Sequence, residues 1–383
     1  MTGDFIEHVI SYWVLFQKFH SPALAGFAVV SHWLPFLLFS IYSGALADRF
    51  DPRRIVQIAM VVFMGVSIAW GVLFATGKLE MWHAMVLLVI HGFAGVLWNP
   101  SVQLLLHDIV GPAQLQSAVR LTATARNLGM LAGPGIGGAL LIVLGPEYGI
   151  LVNALFYVPM LVWMWKAPYG PKFRQGTPAP ARAVRGLADV MATLRAVREN
   201  PILLSMMLLA GGASFFIGNS YGAQMPEFAR DLGHGDPGVA YSMLLAADAF
   251  GALTAGVALE SRGLLHATPR TAFILAFVWC GALASFALTG VYQLALLLLF
   301  IAGFVELAFN AMSQTLVQMN APAEIRGRVI GVYLMAALGM RTFSGITVGL
   351  VGAAIGIHWS LSAAAAALFI VAGMVFALLK PRA

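Results

Sequence analysis

Charge is what this 383-residue chain has least of: Asp, Glu, Lys and Arg make up 10% of it, against 60% hydrophobic residues. A water-soluble domain carries roughly a quarter charged residues, so an aqueous exterior is excluded. Cysteine is nearly absent. The single one, Cys280, sits inside an apolar run, which excludes an internal disulfide and gives no sign of a metal site. H-E-x-x-H is missing too. G-x-S-x-G occurs once, Gly218 to Gly222, but inside an expected membrane span with no strand before it, as a nucleophile turn requires. Nothing resembles a nucleotide-binding domain. The stretch Gly133 to Gly138 fits G-x-G-x-x-G, but no strand precedes it, as a dinucleotide loop requires. No enzyme, no cofactor and no metal are therefore expected. The net charge of +6 would suit nucleic acid, but its distribution points to a membrane instead.

What the chain does have is apolar runs of about 20 residues, the length that crosses a bilayer as helix. In lipid only helices or closed barrels satisfy the backbone. The runs are continuous rather than alternating, which selects helices. Spans are expected near 5–19, 24–46, 55–77, 81–106, 115–144, 148–166, 201–225, 239–259, 271–289, 293–318, 329–356 and 359–379. The fold class is an all-α membrane protein of about twelve transmembrane helices. Its domains are an N-terminal six-helix bundle (1–166), a cytoplasmic linker with an amphipathic helix along the membrane surface (167–200), and a C-terminal six-helix bundle (201–383).

Of the 22 Lys and Arg, Arg120, Arg126 and Arg341 fall within spans and Lys18, Lys78 and Arg230 on one side; the other 16 collect on the side of Arg49, Arg53 and Arg54. The positive-inside rule makes that side cytoplasmic, together with both termini. An inner (cytoplasmic) membrane location follows. The first span has only about fifteen apolar-compatible residues before Ser21-Pro22, roughly 22 Å of helix against a hydrocarbon core of about 30 Å. The first helix is therefore expected to be truncated.

The two halves resemble each other. Ile90 to Asn99 matches Ile301 to Asn310, Pro112 onward matches Pro322 onward, and Gly44 to Asp48 matches Gly256 to Glu260, at offsets of 211, 210 and 212. Repeated six-helix halves are a transporter signature, with substrate bound between them near mid-membrane.

These same windows carry a family resemblance. G-A-L-A-D-R-F-D-P-R-R, Gly44 to Arg54, resembles the loop motif between helices two and three of the major facilitator superfamily. G-M-L-A-G-P-G-I-G-G, Gly129 to Gly138, is similar to the helix-five motif of its antiporters. W-N-P at Trp98 to Pro100, P-A-Q-L and P-A-E-I-R-G-R-V resemble the branch holding the enterobactin exporter and macrolide efflux pumps. Two departures stand out. Asp51-Pro52 replaces the usual glycine and basic residue of the loop motif, and His91 occupies the slot of the expected helix-four arginine.

The resemblance implies a cytoplasmic gate of Gly44, Asp48, Arg49, Arg53, Arg54 and Arg326, with Asp48 on the N-terminus of helix eleven. There a carboxylate meets free N–H groups. A plain topogenic basic loop is the alternative. In the helix-five motif, Gly129, Gly133 and Gly137 share a face suited to close packing, Pro134 invites a kink, and Gly138 follows. This serves either antiport control or static packing.

Buried ionisable residues avoid the interiors of spans three, six, nine and twelve. Such a charge costs about 2.5–3.5 kcal/mol at bilayer centre on insertion scales, so it faces a cavity or a partner. Asp248, Glu306, Arg126 and Arg341 lie 9 to 13 residues into their spans, near the midplane. Glu306 is the first candidate for proton coupling, because carboxyl groups out of water hold protons more readily. Asp4, Glu7, His91 and Asp248 are further candidates. Arg126 and Arg341 are their charge partners, and a structural ion pair is the competing role for Glu306. Asp4 and His8, four apart, share a helix face, while His32 and His91 also suit hydrogen-bonded packing. Trp98, Asn99, Phe215, Phe216, Asn219, Tyr221 and Gln224 are candidates to line the substrate cavity. The expected function is export of a small amphipathic compound, drug- or siderophore-like, by proton antiport and alternating access. The partners are a small-molecule substrate, protons and the lipid bilayer, with no nucleic acid, and the chain is expected to be monomeric. A lipid flippase on the same fold and a transport-inactive membrane sensor are the alternatives.

Overall fold

The computed structural model describes residues 2–19, 22–167, 187–218, 220–233, 237–262, 265–344 and 351–378, apart from some side chains within the helices, those of Pro134 and Gln224 among them. Asn219 lies outside the described residues.

The described residues form helices and no strand. Helix α1 is Thr2–Phe19, α2 is Pro22–Arg49 and α3 is Pro52–Ala75. The run Met81–Asn153 is interrupted at Gly111 (φ 68°) and Gly145 (φ 76°). Both lie in the left-handed region, which costs glycine little and other residues more. The run thus divides into α4 (81–110), α5 (112–144) and the start of α6 (146–166), which passes through a 3-10 turn at Ala154–Tyr157. Then come α7 (Leu187–Glu199), α8 (Pro201–Phe216), α9 (Ser220–Asp231), α10 (Pro237–Arg262), α11 (Pro269–Leu288) and α12 (Tyr292–Asn320). The last are α13 (Arg326–Leu334), a π turn at Met335–Gly339, α14 (Arg341–Ser344), α15 (Val351–Ile355) and α16 (Ile357–Leu378). With α8 and α9 taken as one broken span, and α13 to α15 as another, this is the expected set of about twelve. The fold class holds.

Three helices start in the same way. Asp51, Asn200 and Thr268 precede Pro52, Pro201 and Pro269, and each side chain accepts a backbone N–H of the first turn. The cap satisfies an orphan donor, and proline at the first position gives up an N–H that had no partner. Asp51-Pro52, a departure from the loop motif, is thus the start signal of α3. It moves that helix's start from the expected 55 to 52. The expected seventh span also differs: α8 ends at Phe216, where the Gly218 N–H bonds the Ala213 carbonyl, and α9 resumes at Ser220. Helix α1 runs 18 residues, three more than the apolar count suggested, because Thr2, Gly3 and Asp4 continue the helix despite their polarity.

Large apolar side chains face outward. Ile142 is 85% exposed, Val143 77% and Trp165 73%, the reverse of a protein in water. Some helices approach closely at glycine: a Cβ on Gly92 would overlap the Ser31 carbonyl oxygen, and one on Gly303 that of Asp248. By contact the chain forms two units. One comprises Met1–Gly111, Leu128–Val190 and Pro322–Gly331; the other comprises Pro112–Asn127, Met191–Ala321 and Val332–Ala383. The first has a core of Ile6, Ile10, Leu24, Trp70, Leu88 and Ile150, drawn from α1, α2, α3, α4 and α6.

Candidate functional site

Three constellations of buried polar groups stand out, and each lies within one unit. In the first unit, His91 of α4 bridges two carboxylates of α1: its Nε2 is 2.8 Å from Asp4 Oδ1 and its Nδ1 2.8 Å from Glu7 Oε1. Imidazole uses both nitrogens as donors only when doubly protonated, so the two contacts are both hydrogen bonds only if a proton is held in excess of the neutral ring. Ser67 of α3 donates to the other Glu7 oxygen at 2.5 Å, and Asn153 of α6 donates to Ser67 at 3.2 Å. Glu7 and His91 are 2% and 3% exposed. His8 and His32 stand over the same ring, with centroids 5.0 and 5.8 Å from that of His91.

In the second unit, Tyr221 of α9 lies between Asp248 of α10 and Glu306 of α12. Its Oη is 3.4 Å from Asp248 Oδ1 and 3.3 Å from Glu306 Oε2. A phenol has one proton to donate. Satisfying both contacts fully calls for another proton on a carboxyl. Arg341 and Arg126 are near enough for their charges to act on Glu306, and Asn310, one turn along α12, hydrogen-bonds it. Tyr221, a candidate for the cavity wall, also links two acids.

The third constellation sits in the first unit, at the end of α2. Asp48, 1% exposed, accepts the N–H of Gly327 at 2.5 Å and of Arg328 at 2.9 Å, in the first turn of α13. Orphan N–H groups and the positive helix end hold the carboxylate there. The approach depends on glycine: a Cβ on Gly44 would overlap the Gly327 carbonyl oxygen, and one on Gly331 the Ser40 carbonyl oxygen. The basic residues divide their duties. Arg53 bonds Asp51 at 2.6 Å and the Ala167 carbonyl; Arg54 bonds Gln57 at 3.0 Å; Arg49 lies over the Phe50 ring; Arg326 meets His107 at 3.4 Å. The hydrogen bonds to Asp51 raise the already high pKa of Arg53. Arg328, passed over in the sequence, has its Nε 3.8 Å from Asp48.

The helix-five glycines pack as a face. Gly129, Gly133 and Gly137 are buried and Gly138 is half-buried. A Cβ on Gly133 would overlap Phe5, and one on Gly137 would press on Ile6 and Val9. This face of α5 therefore holds α1, the helix of Asp4, Glu7 and His8. The other described cavity candidates have local partners within their own units. Asn99 accepts from Gln103 at 2.9 Å, Trp98 is half-buried against the apolar cluster around Phe63, and Phe215 meets Phe216 and Phe343 edge to face and tilted.

Comparison with known proteins agrees with this architecture. The family model described as "Transmembrane secretion effector" matches residues 1–382. The multidrug efflux pump Tap of Mycolicibacterium fortuitum is 26% identical over 93% of this chain and 87% of its own. The enterobactin exporter EntS of Citrobacter koseri is 23% identical over 82% of this chain and 73% of its own. The crystal structure of the human organic anion transporter MFSD10 shares the fold, with a TM-score of 0.76 at 12% identity over 98% of this chain and 97% of that one. With a family model matching essentially its whole length, the chain belongs to the major facilitator superfamily, in its transmembrane secretion effector family, and is a transporter rather than an enzyme.

Proposed function

We propose that the chain is a proton-driven exporter of a small amphipathic compound, working by alternating access in the inner membrane, as a monomer with both termini cytoplasmic. The observation that carries this reading is Tyr221 held between Asp248 and Glu306 in the apolar setting of α9, α10 and α12. Two acids joined by one phenol take up or release a proton at little geometric cost, and substrate-linked movement of α9 would open that link. Two arginines balance the acids when both are ionised, so the site is stable in either protonation state. The relatives described as a multidrug efflux pump and an enterobactin exporter support export of a drug- or siderophore-like cargo. Alternating access in this reading would come from rocking of two bundles, 1–166 and 201–383, joined by the linker. In this reading the Asp48 bonds to α13 form the cytoplasmic latch, released once per cycle.

The test is accumulation of dyes, macrolides and siderophores in pump-deficient cells expressing the chain, with and without a protonophore, beside Glu306→Gln. Lowered accumulation that is lost with the protonophore and in the variant is the expected result. Unchanged accumulation of every compound, with the protein inserted, overturns the drug and siderophore reading and directs the search to lipids or to signalling.

A further inference from the structure

The cluster on α1, α2 and α4 holds more than a proton relay requires. His8, His32 and His91 come from three helices, and their nearest ring nitrogens all lie within 4.8 Å of one another. Asp4 touches one of them, and Glu7 the other side of the same ring. Three imidazoles converging on one point, with a carboxylate beside them, are an N3O donor set. Among the described residues, the ion pairs of Asp4 and Glu7 both run to His91. Two carboxylates facing one imidazole leave room in the charge balance for a further cation.

From this geometry we infer a binding site for a divalent transition-metal ion of borderline softness, Zn²⁺ being the reference case, formed by His8, His32 and His91 with Asp4 as fourth ligand. Metal–nitrogen bonds of about 2.0–2.1 Å in a tetrahedron place ligand atoms roughly 3.3 Å apart. Side-chain torsions close the distance from 4.8 Å. The ion takes the place of the hydrogen between His91 Nε2 and Asp4 Oδ1. Nδ1 of His91 goes on donating to Glu7, which Ser67 and, through it, Asn153 hold in place. A carboxylate on the far nitrogen of a ligating imidazole fixes its tautomer and orientation. Glu7 is thus a positioning residue rather than a ligand. Access is from the side of Asp4, whose side chain is 21% exposed, and of the half-buried His8 and His32. Imidazole-rich sets prefer Zn, Cu, Fe and Ni over Mg and Ca, whose sites are built of oxygen. This site stands apart from the Tyr221 trio and does not depend on the export reading.

The purified, metal-stripped full chain in nanodiscs is titrated with Zn²⁺ by calorimetry and with Co²⁺ by visible absorption. One equivalent should bind, Co²⁺ showing the intense bands of tetrahedral coordination, and Mg²⁺ should not compete. His8→Gln and His32→Gln should each weaken Zn²⁺ binding by at least tenfold, and Glu7→Gln by about 10- to 100-fold. His358→Gln, at a histidine that meets the Ala287 carbonyl and Asp231 elsewhere, should leave it unchanged. Size-exclusion profiles and helical circular dichroism check that each variant is folded. Absence of saturable binding in the parent chain overturns the site, as do folded His8→Gln and His32→Gln variants that bind as well as the parent.

Discussion

Two helix junctions, one in each unit, are built from matching windows of the sequence repeat yet closed with opposite chemistry. At the first, α2 ends in Asp48, whose carboxylate accepts two N–H groups at the start of α13. At the second, α10 is the repeat counterpart of α2 and α5 that of α13. There Arg120 of α5 donates to the carbonyls of Leu259 and Leu265, at 2.5 and 2.8 Å, and Gln116 reaches Leu265 as well. One junction puts an anion on the positive end of a helix; the other puts a cation on carbonyls at and just beyond the negative end. Both follow from the same macrodipole. The repeat therefore preserves where helices meet, while the polarity of the bond is free to invert.

The contrast can be broken by substitution. The largest effect is expected at Asp48→Asn, which keeps the shape but removes the charge and turns an amide N–H toward two backbone donors. Hydrogen bonds to charged groups contribute about 1.5–3 kcal/mol each, so a loss of about 2–4 kcal/mol in stability and at least a tenfold loss of efflux should follow. Thermal unfolding in detergent and whole-cell efflux measure both. Arg120→Gln should cost less, because Gln116 remains on Leu265. An equal loss at the two sites would show that charge sign is immaterial.

A second pair compares the glycines. A Cβ at Gly44 overlaps a backbone carbonyl, whereas one at Gly256 overlaps side-chain atoms of Thr124; rotation moves the outer two but not Cβ, so a small shift of α5 is needed as well. Gly44→Ala should cost about 1–3 kcal/mol, as overpacking does, and Gly256→Ala clearly less by the same unfolding assay. The reverse order would mean that α2 and α13 have room to separate.

The smallest effect is expected at Asp51→Asn. Asparagine caps as well as aspartate, so only the partly exposed pair with Arg53 is lost, about 0.2–1 kcal/mol. The sign of any pH dependence follows from Arg53, whose already high pKa is raised further by its hydrogen bonds to Asp51. Its contribution is complete below the ordinary arginine value and fades only above it, so this difference should stay constant through the neutral range. Unfolding midpoints of parent and variant across that range check it.

The helices were largely legible because lipid demands long apolar runs, and because Asp51-Pro52, Asn200-Pro201 and Thr268-Pro269 mark starts locally. The importance of Asp48 was legible through its motif. The partners were not. His91 lies 84 and 87 residues from Glu7 and Asp4, and no periodicity in one chain reports a contact of that separation. Tyr221 shows the same limit. Its position suggests a cavity wall, and only the packing of α9 against α10 and α12 turns it into a bridge. Arg120 was counted as one more charge within a span, since its use depends on where Leu259 and Leu265 fall.

The wide turn at Met335–Gly339 reorients the chain beyond it. Arg341 comes fourteen residues after Gly327; at about 100° per residue of regular helix it would lie about 40° around the axis from Gly327 and about 80° from Gly331. A π turn amounts to one inserted residue, which swings the next stretch of helix by about 100°. Ser214 of α8 holds the displaced backbone by donating to the Ala337 carbonyl at 2.5 Å. Arg341 thereby takes a bearing that regular helix would not give it, in the second unit where its charge acts on Glu306. One added amino acid does the work of a swivel.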